Sequence, residues 1–215
     1  MEKIIHQIWI GPFEMPDREK LFVQKVKDVN TSWHHMFWTN ENIPKLPSKL
    51  KEVFDIFGKN KLYALQADIL RIYLVKLFGG FYLDVDFDCI NGFESTNFNE
   101  YNGVYYNHGE GDYTIPNGVF GSSKNHPLIN YITDQVDASK WSWYGPIWLG
   151  DMVRQYYNLP HGCAHELLAP KLQEDNIKYG LFYDLEKEHF KHYALYSWST
   201  ENRINFENGN INYIK

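Results

Sequence analysis

A helix-forming run that halts at Gly79-Gly80, continues through Phe81-Tyr82-Leu83 and ends in Asp84-Val85-Asp86 constrains this chain more than any other stretch. Leu62, Leu65, Ile69, Ile72 and Val75 recur at helical spacing and predict a helix over about 61–78. The two glycines supply the left-handed stop that helix ends favour. Phe81 to Asp84 then reads as a short buried strand. Alternate residues of a strand share a face, so Asp84 and Asp86 are expected to point the same way. One reading is a solvated polar face. The apolar residues just before the pair favour another: two carboxylates that are costly to bury unpaired and that a cation would reconcile. Mg²⁺ and Mn²⁺ take such oxygen ligands and bridge phosphates. The carboxyl edge of an open α/β sheet is where ligands bind. Asp88 continues the alternation and reads as a spare acid further out.

The remaining pattern predicts an α/β fold. Lys3 to Ile10 reads as a strand closed by Gly11-Pro12, and Pro16 and Asp17 start a helix to about Asp28 with Leu21, Phe22, Val26 and Val29 on its apolar face. Trp33 to Trp38 is a second strand, and Pro47 to Phe57 a helix stopped by Gly58. Strand, helix, strand in that order implies a parallel sheet with crossover helices. Further strands are expected at Gly103–Tyr106 and Gly118–Phe120, with helices from Pro127 to about Ala138 and from Pro146 to about Tyr157. The tail past Pro170 is mixed, with a last strand at Tyr193–Trp198.

At 215 residues the chain is expected to form one domain. A net charge of −6 and the lack of a basic stripe argue against a nucleic-acid partner. Two cysteines, Cys89 and Cys163, make no disulfide framework, which fits a reducing compartment. No stretch is apolar enough to span a bilayer and no signal peptide is read, so a cytoplasmic location is expected. Aromatic residues at 17% serve either a core or a cleft that stacks rings on bases and sugars.

Asp68 and Arg71 share a helix face, as a surface ion pair or as a grip on sugar hydroxyls and phosphate oxygens. Trp9 follows the first strand and either packs or stacks on a base. His6 is expected to satisfy a core hydrogen bond rather than bind metal. His161, Cys163 and His165 invite a zinc reading, which Pro160 and Gly162 spoil. His192 is a candidate third metal ligand.

The pattern Ala-Leu-Gln-Ala-Asp68-Ile-Leu-Arg71, helix, Gly79-Gly80-Phe-Tyr82-Leu-Asp84-Val-Asp86 resembles the signature of the DXD sugar transferases, the family 32-type glycosyltransferases and the glucosyltransferase domains of large clostridial toxins. Ile5-His6-Gln7-Ile8-Trp9-Ile10-Gly11 resembles their first strand. Asn117-Gly118, His126-Pro127, Gly145-Pro146 and Tyr193 to Trp198 fall in the family's order. The resemblance implies a GT-A fold, a Rossmann-like mixed sheet flanked by helices. The nucleotide-sugar part would span about 1–90 and the acceptor part about 91–215.

The same resemblance implies a UDP-sugar donor, UDP-glucose by default, a glycan or small-molecule acceptor, and Mn²⁺ or Mg²⁺ as cofactor. Trp9 would stack the base, with Ile8, Tyr82, Asn117 and Trp198 also on the nucleotide-sugar. Asp68 and Arg71 would hold the donor sugar. Asp84 would touch ribose or sugar and the metal, and Asp86 would ligate it. Tyr196 stands where many members carry His, so the third ligand is His192, Ser197 or water. A retaining course is implied; Asp134 and Asp151 are the acids that would serve as bases in an inverting one. The rival classes are a nucleotidyltransferase, for which Gly11-Pro12-Phe13 is a poor phosphate loop, and a non-catalytic sugar-binding module using Ca²⁺. The chain also reads as one module of a longer protein.

Overall fold

The computed structural model describes residues 1–109, 113–137 and 144–193, together with the backbone of 203–207 and 210–214. Alternation of side chains along β1 (Ile4–Ile8) builds the fold from its first strand. Ile5 joins an apolar cluster with Val26, Trp33, Phe81, Leu83 and Phe87 on one face of the sheet. Ile8 joins Trp38, Leu65, Ile69, Leu70, Tyr82 and Phe120 on the other. β3 (Gly80–Leu83) repeats the pattern, with Phe81 and Leu83 in the first cluster and Tyr82 in the second. A sheet covered on both faces, with strands linked by helices, is the outcome.

Between β1 and β3 lie α1 (Asp17–Val29), β2 (His34–Trp38), α2 (Ser48–Lys59) and α3 (Tyr63–Phe78). β1 pairs in parallel with both β2 and β3. After β3 come β4 (Phe87–Cys89), β5 (Gly103–Asn107), β6 (Val119–Ser122), α4 (Pro127–Asp134), α5 (Pro146–Tyr156), α6 (His165–Glu174), β7 (Ile177–Leu181), α7 (Phe182–Glu188) and β8 (Phe190–His192). The central sheet has six strands in the order β2-β1-β3-β6-β5-β7. β6 runs antiparallel to β3 and β5, and β7 parallel to β5, so the sheet is mixed. β4 and β8 form a separate antiparallel pair, as do β9 (Arg203–Glu207) and β10 (Asn210–Ile214). No helix among the described residues is long and apolar enough to cross a membrane.

The Gly79-Gly80 pair has a backbone reason. Both residues have positive φ, 71° and 96°, and a Cβ on Gly80 would lie 2.5 Å from the carbonyl oxygen of Ile4. Only glycine lets the chain leave α3 and slot β3 against β1 at that distance. His6 completes the junction. The Trp38 indole N–H donates to His6 Nδ1 at 3.1 Å, so the ring's other nitrogen carries the proton and donates to the Gly79 carbonyl at 2.8 Å. Full burial holds this imidazole neutral and pushes its pKa down to about 4.

Several expectations are corrected. β3 ends at Leu83, and Val85-Asp86 form a turn before β4, so Asp84 and Asp86 do not alternate along one strand. Leu21 is 69% exposed and lies outside the core. α2 passes Gly58 and ends at Lys59, α4 ends at Asp134, and the strand expected at Gly118–Phe120 is Val119–Ser122. Pro170 sits inside α6, where it removes only the bond to the carbonyl of Glu166, an exposed residue that water can satisfy. Of the strand expected at Tyr193–Trp198, all but Tyr193 lies outside the described residues.

Candidate active site

Arg71 organises the site. It projects from α3 with Asp68 one turn before it, and both side chains are more than nine-tenths buried. Its Nη2 lies 3.1 Å from Asp68 Oδ1 and 3.3 Å from Asp84 Oδ1. Its Nη1 donates to the Asn117 carbonyl at 2.7 Å and to Asp84 Oδ2 at 3.4 Å, and the guanidinium sits 4.6 Å above the Tyr82 ring. Asn117 closes the circuit by donating its amide to Asp68 Oδ1 at 2.8 Å. The Tyr82 hydroxyl donates to Asp84 Oδ1 at 2.5 Å. α3, β3 and the segment leading into β6 therefore converge on one ion cluster at the carboxyl end of β3, in which Asp68 and Arg71 are buried and Asp84 is partly exposed.

Burial raises Asp68 to about 6, against the pull of the Arg71 charge, and Asp84 adds to the rise. Burial also raises Asp84; Arg71 opposes it and the Asp86 charge reinforces it. For Arg71 burial works against the charge, but Asp84, Tyr82, Asp68 and Asp86 outweigh it and hold the guanidinium protonated. One guanidinium thus faces two carboxylates, with the Asp86 charge acting on it from further off, an arrangement that suits a further cation.

The turn after β3 sends Asp86 away from Arg71. Its Oδ2 lies 3.6 Å from Nε2 of His192, and its backbone carbonyl accepts from the Tyr193 N–H at 3.3 Å. β8 brings His192 there by pairing with β4, in the register Phe87 opposite His192, and the two rings stack at 4.3 Å. Burial opposes charge on His192, yet the hydrogen bond and charge of Asp86 raise its pKa above the ordinary value. Among the described residues no three His, Cys, Asp or Glu side chains already converge as a metal-binding group. The donor types nevertheless suit Mn²⁺ or Mg²⁺, with two hard carboxylates and one imidazole. Oδ1 of Asp84 meets both Tyr82 and Arg71, while Oδ2, with Arg71 Nη1 at 3.4 Å, keeps a second lone pair for a cation. The residues fit such an ion when substrate oxygens complete its coordination.

At the end of β1, Ile8 is core, 5% exposed. Trp9 belongs to neither apolar cluster; its indole N–H donates to the Phe13 carbonyl at 2.9 Å. Two residues escaped the sequence reading. Gln7 is fully buried, receives His35 on Oε1 at 2.9 Å and reaches the Asp84 carbonyl at 3.4 Å. Its signal is a second polar residue inside an otherwise apolar strand. Gly118 accepts the Asp84 N–H at 2.8 Å, and a Cβ there would lie 2.5 Å from Asp84 Oδ2.

Other candidates lie apart. Asp88 is not an outlying acid of the site, because Lys25 of α1 binds it at 2.6 Å. Asp134 pairs with Lys76, further along α3 towards the other edge of the sheet. Asp151 binds His161 at 2.6 Å, and His165 bonds Tyr179. Tyr196, Ser197 and Trp198 lie outside the described residues. A cavity of about 750 Å³, lined by Val29, Thr31, Gly92, Glu94 and His189 among others, opens near the amino end of β2, the edge opposite the acidic turn.

Residues 16–102 match the family described as the glycosyltransferase sugar-binding region containing DXD motif. A protein of Acanthamoeba polyphaga mimivirus named as an uncharacterized glycosyltransferase is 34% identical over 60% of this chain and 53% of its own length. An inositol phosphoceramide mannosyltransferase of Schizosaccharomyces pombe is 23% identical over 92% of this chain and 61% of its own. The chain thus spans only between half and two thirds of these relatives. A solved structure described as PaToxG glycosyltransferase superposes with a TM-score of 0.62 over 80% of this chain and 75% of that one, at 19% identity, and shares its fold. α3, β3 and the acidic turn all lie inside the region that is similar to the DXD-containing glycosyltransferase sugar-binding region, and the chain shares its fold with a solved glycosyltransferase.

Proposed function

We propose that this chain transfers a hexosyl group from a nucleoside diphosphate sugar, UDP-glucose by default, to a hydroxyl of a glycan or small-molecule acceptor, with retention and with Mn²⁺ or Mg²⁺ as cofactor. The observation that carries the reading is the ion cluster of Asp68, Arg71 and Asp84 set beside Asp86 and His192. In the reaction the bond from the anomeric carbon to the diphosphate oxygen breaks and a bond to the acceptor oxygen forms. The acceptor proton passes to the departing phosphate oxygen. Negative charge grows on the diphosphate, and a site that stabilises it lowers the barrier.

Asp86, Asp84 and His192 would hold the divalent cation, which when bound supplies Lewis-acid charge to the leaving group. The N–H groups of Arg71 are already engaged by Asp68, Asp84, Asn117 and Ala67. Its part is therefore to fix the two acids and keep a positive charge close to the diphosphate. Asp68, oriented by Asn117, would accept from sugar hydroxyls. Asp134 is tied to Lys76 near the other edge, which supports a course without an enzymic base there.

A thermal-shift screen tests the reading. UDP, GDP and CMP are each added with and without Mn²⁺, followed by UDP-sugars. The Schizosaccharomyces pombe relatives are named mannosyltransferases, so mannose belongs in the donor panel. Stabilisation that needs both a nucleoside diphosphate and Mn²⁺ is expected. Stabilisation by free glycan or Ca²⁺ without nucleotide would overturn the reading in favour of a binding module.

A further inference from the structure

Trp9 is the first residue beyond β1, and its N–H still pairs with the Trp38 carbonyl at 2.8 Å. The chain then leaves the sheet through Gly11. That loop is held from two sides. Asn40, two residues past β2, donates its amide to the Gly11 carbonyl at 2.7 Å and accepts the Gly11 N–H on Oδ1 at 3.1 Å. Below, the first residue of α3 supplies a floor, since a Cβ on Gly11 would lie 3.0 Å from Cγ of Tyr63, and Gly11 itself has φ of 111°. The Trp9 indole reaches on along the same loop to the Phe13 carbonyl. The ring is fixed at its polar end while lying outside both apolar clusters, and the described residues give it no aromatic partner.

We infer that Asn40 is a positioning residue that presets the Trp9 ring as a platform for the donor's base. The inference rests on the nucleotide-sugar reading above. A two-point clamp on one residue, holding the peptide units on both sides of its Cα, removes the loop's freedom before the ligand arrives, and preorganisation of that kind appears as affinity rather than as rate. Asn40 touches neither of the acids nor Arg71 in this arrangement, so the chemical step is left alone.

The test is a double-mutant cycle with UDP in the presence of Mn²⁺, read by titration calorimetry, alongside KM and kcat for the UDP-sugar. Asn40→Ala should weaken UDP binding about fivefold, the loss of roughly one hydrogen bond's worth of ordering. KM should rise in parallel and kcat stay within about twofold. In a Trp9→Ala background the same substitution should change Kd by less than about twofold, because its effect passes through the ring. Unchanged affinity in Asn40→Ala, or an equal loss with Trp9 already removed, overturns the positioning role. Failure of the unaltered protein to bind UDP with Mn²⁺ overturns the donor reading itself.

Discussion

Gly118 and Asp84 meet so closely between β6 and β3 that a methyl group on Gly118 would lie 2.5 Å from Asp84 Oδ2. Asp84 cannot retreat freely, because Tyr82 and Arg71 hold its oxygens. Gly118→Ala should therefore displace the carboxylate and lower kcat for sugar transfer by at least about tenfold. Gly118 has no positive φ, so backbone strain adds nothing. Differential scanning calorimetry should show a Tm loss of only a few degrees, on the order of 1 kcal/mol.

Arg71 is the counterion of two acids, Asp68 buried and Asp84 partly exposed. Arg71→Met should destabilise the fold by about 3–5 kcal/mol, since it strands Asp68 and Asp84 without their cation. Adding Asp68→Asn should recover part of that loss, and urea denaturation of the single and double variants measures it. Arg71→Lys should do worse than its charge suggests, because an ammonium cannot span Asp68, Asp84 and Asn117 at once.

His6 makes stability depend on pH. Its folded pKa of about 4 lies below the ordinary value of 6.5. Above pH 6.5 the ring is neutral folded or unfolded and contributes nothing. As pH falls from 6.5 towards 4 only the unfolded chain takes up the proton, so stability is lost across that window. From pH 7 to pH 5 the loss is about 2 kcal/mol from this one group. Denaturation curves at the two pH values should show a smaller difference for His6→Gln than for the unaltered protein.

Asp88 should be dispensable for turnover. Its carboxylate is bound by Lys25 at 2.6 Å and faces α1 rather than Arg71. Asp88→Asn is expected to leave kcat within about twofold, in a steady-state assay, and to shift stability by less than about 1 kcal/mol.

What the sequence revealed follows from the range of the forces involved. α1, α3 and α5 were legible because apolar spacing, proline starts and the Gly79-Gly80 stop are local signals. Asp68 and Arg71 were legible as neighbours on one helix face, and the resemblance singled out Tyr82 and Asp84, but the meeting of all four in one cluster depends on how α3 packs beside β3 and was not read. The direction of Asp86 was not, because the chain turns at Val85-Asp86 and no local pattern marks where β3 stops. His192 comes beside Asp86 only through the pairing of β8 with β4, across about a hundred residues of chain. α6 was hidden by Pro170, whose cost is small at an exposed position. Gly118 matters through a missing side chain, which composition and spacing cannot signal.

The most direct measurement follows release of nucleoside diphosphate from a panel of nucleotide sugars as Mn²⁺ is titrated, comparing the unaltered protein with Asp86→Asn. Release should rise to saturation with Mn²⁺, vanish with chelator, and fall at least about a hundredfold in Asp86→Asn while the variant keeps its circular dichroism spectrum and Tm. Full release in the presence of chelator, or an Asp86→Asn variant that turns over like the unaltered protein, would contradict a metal-assisted transferase centred on the acidic turn.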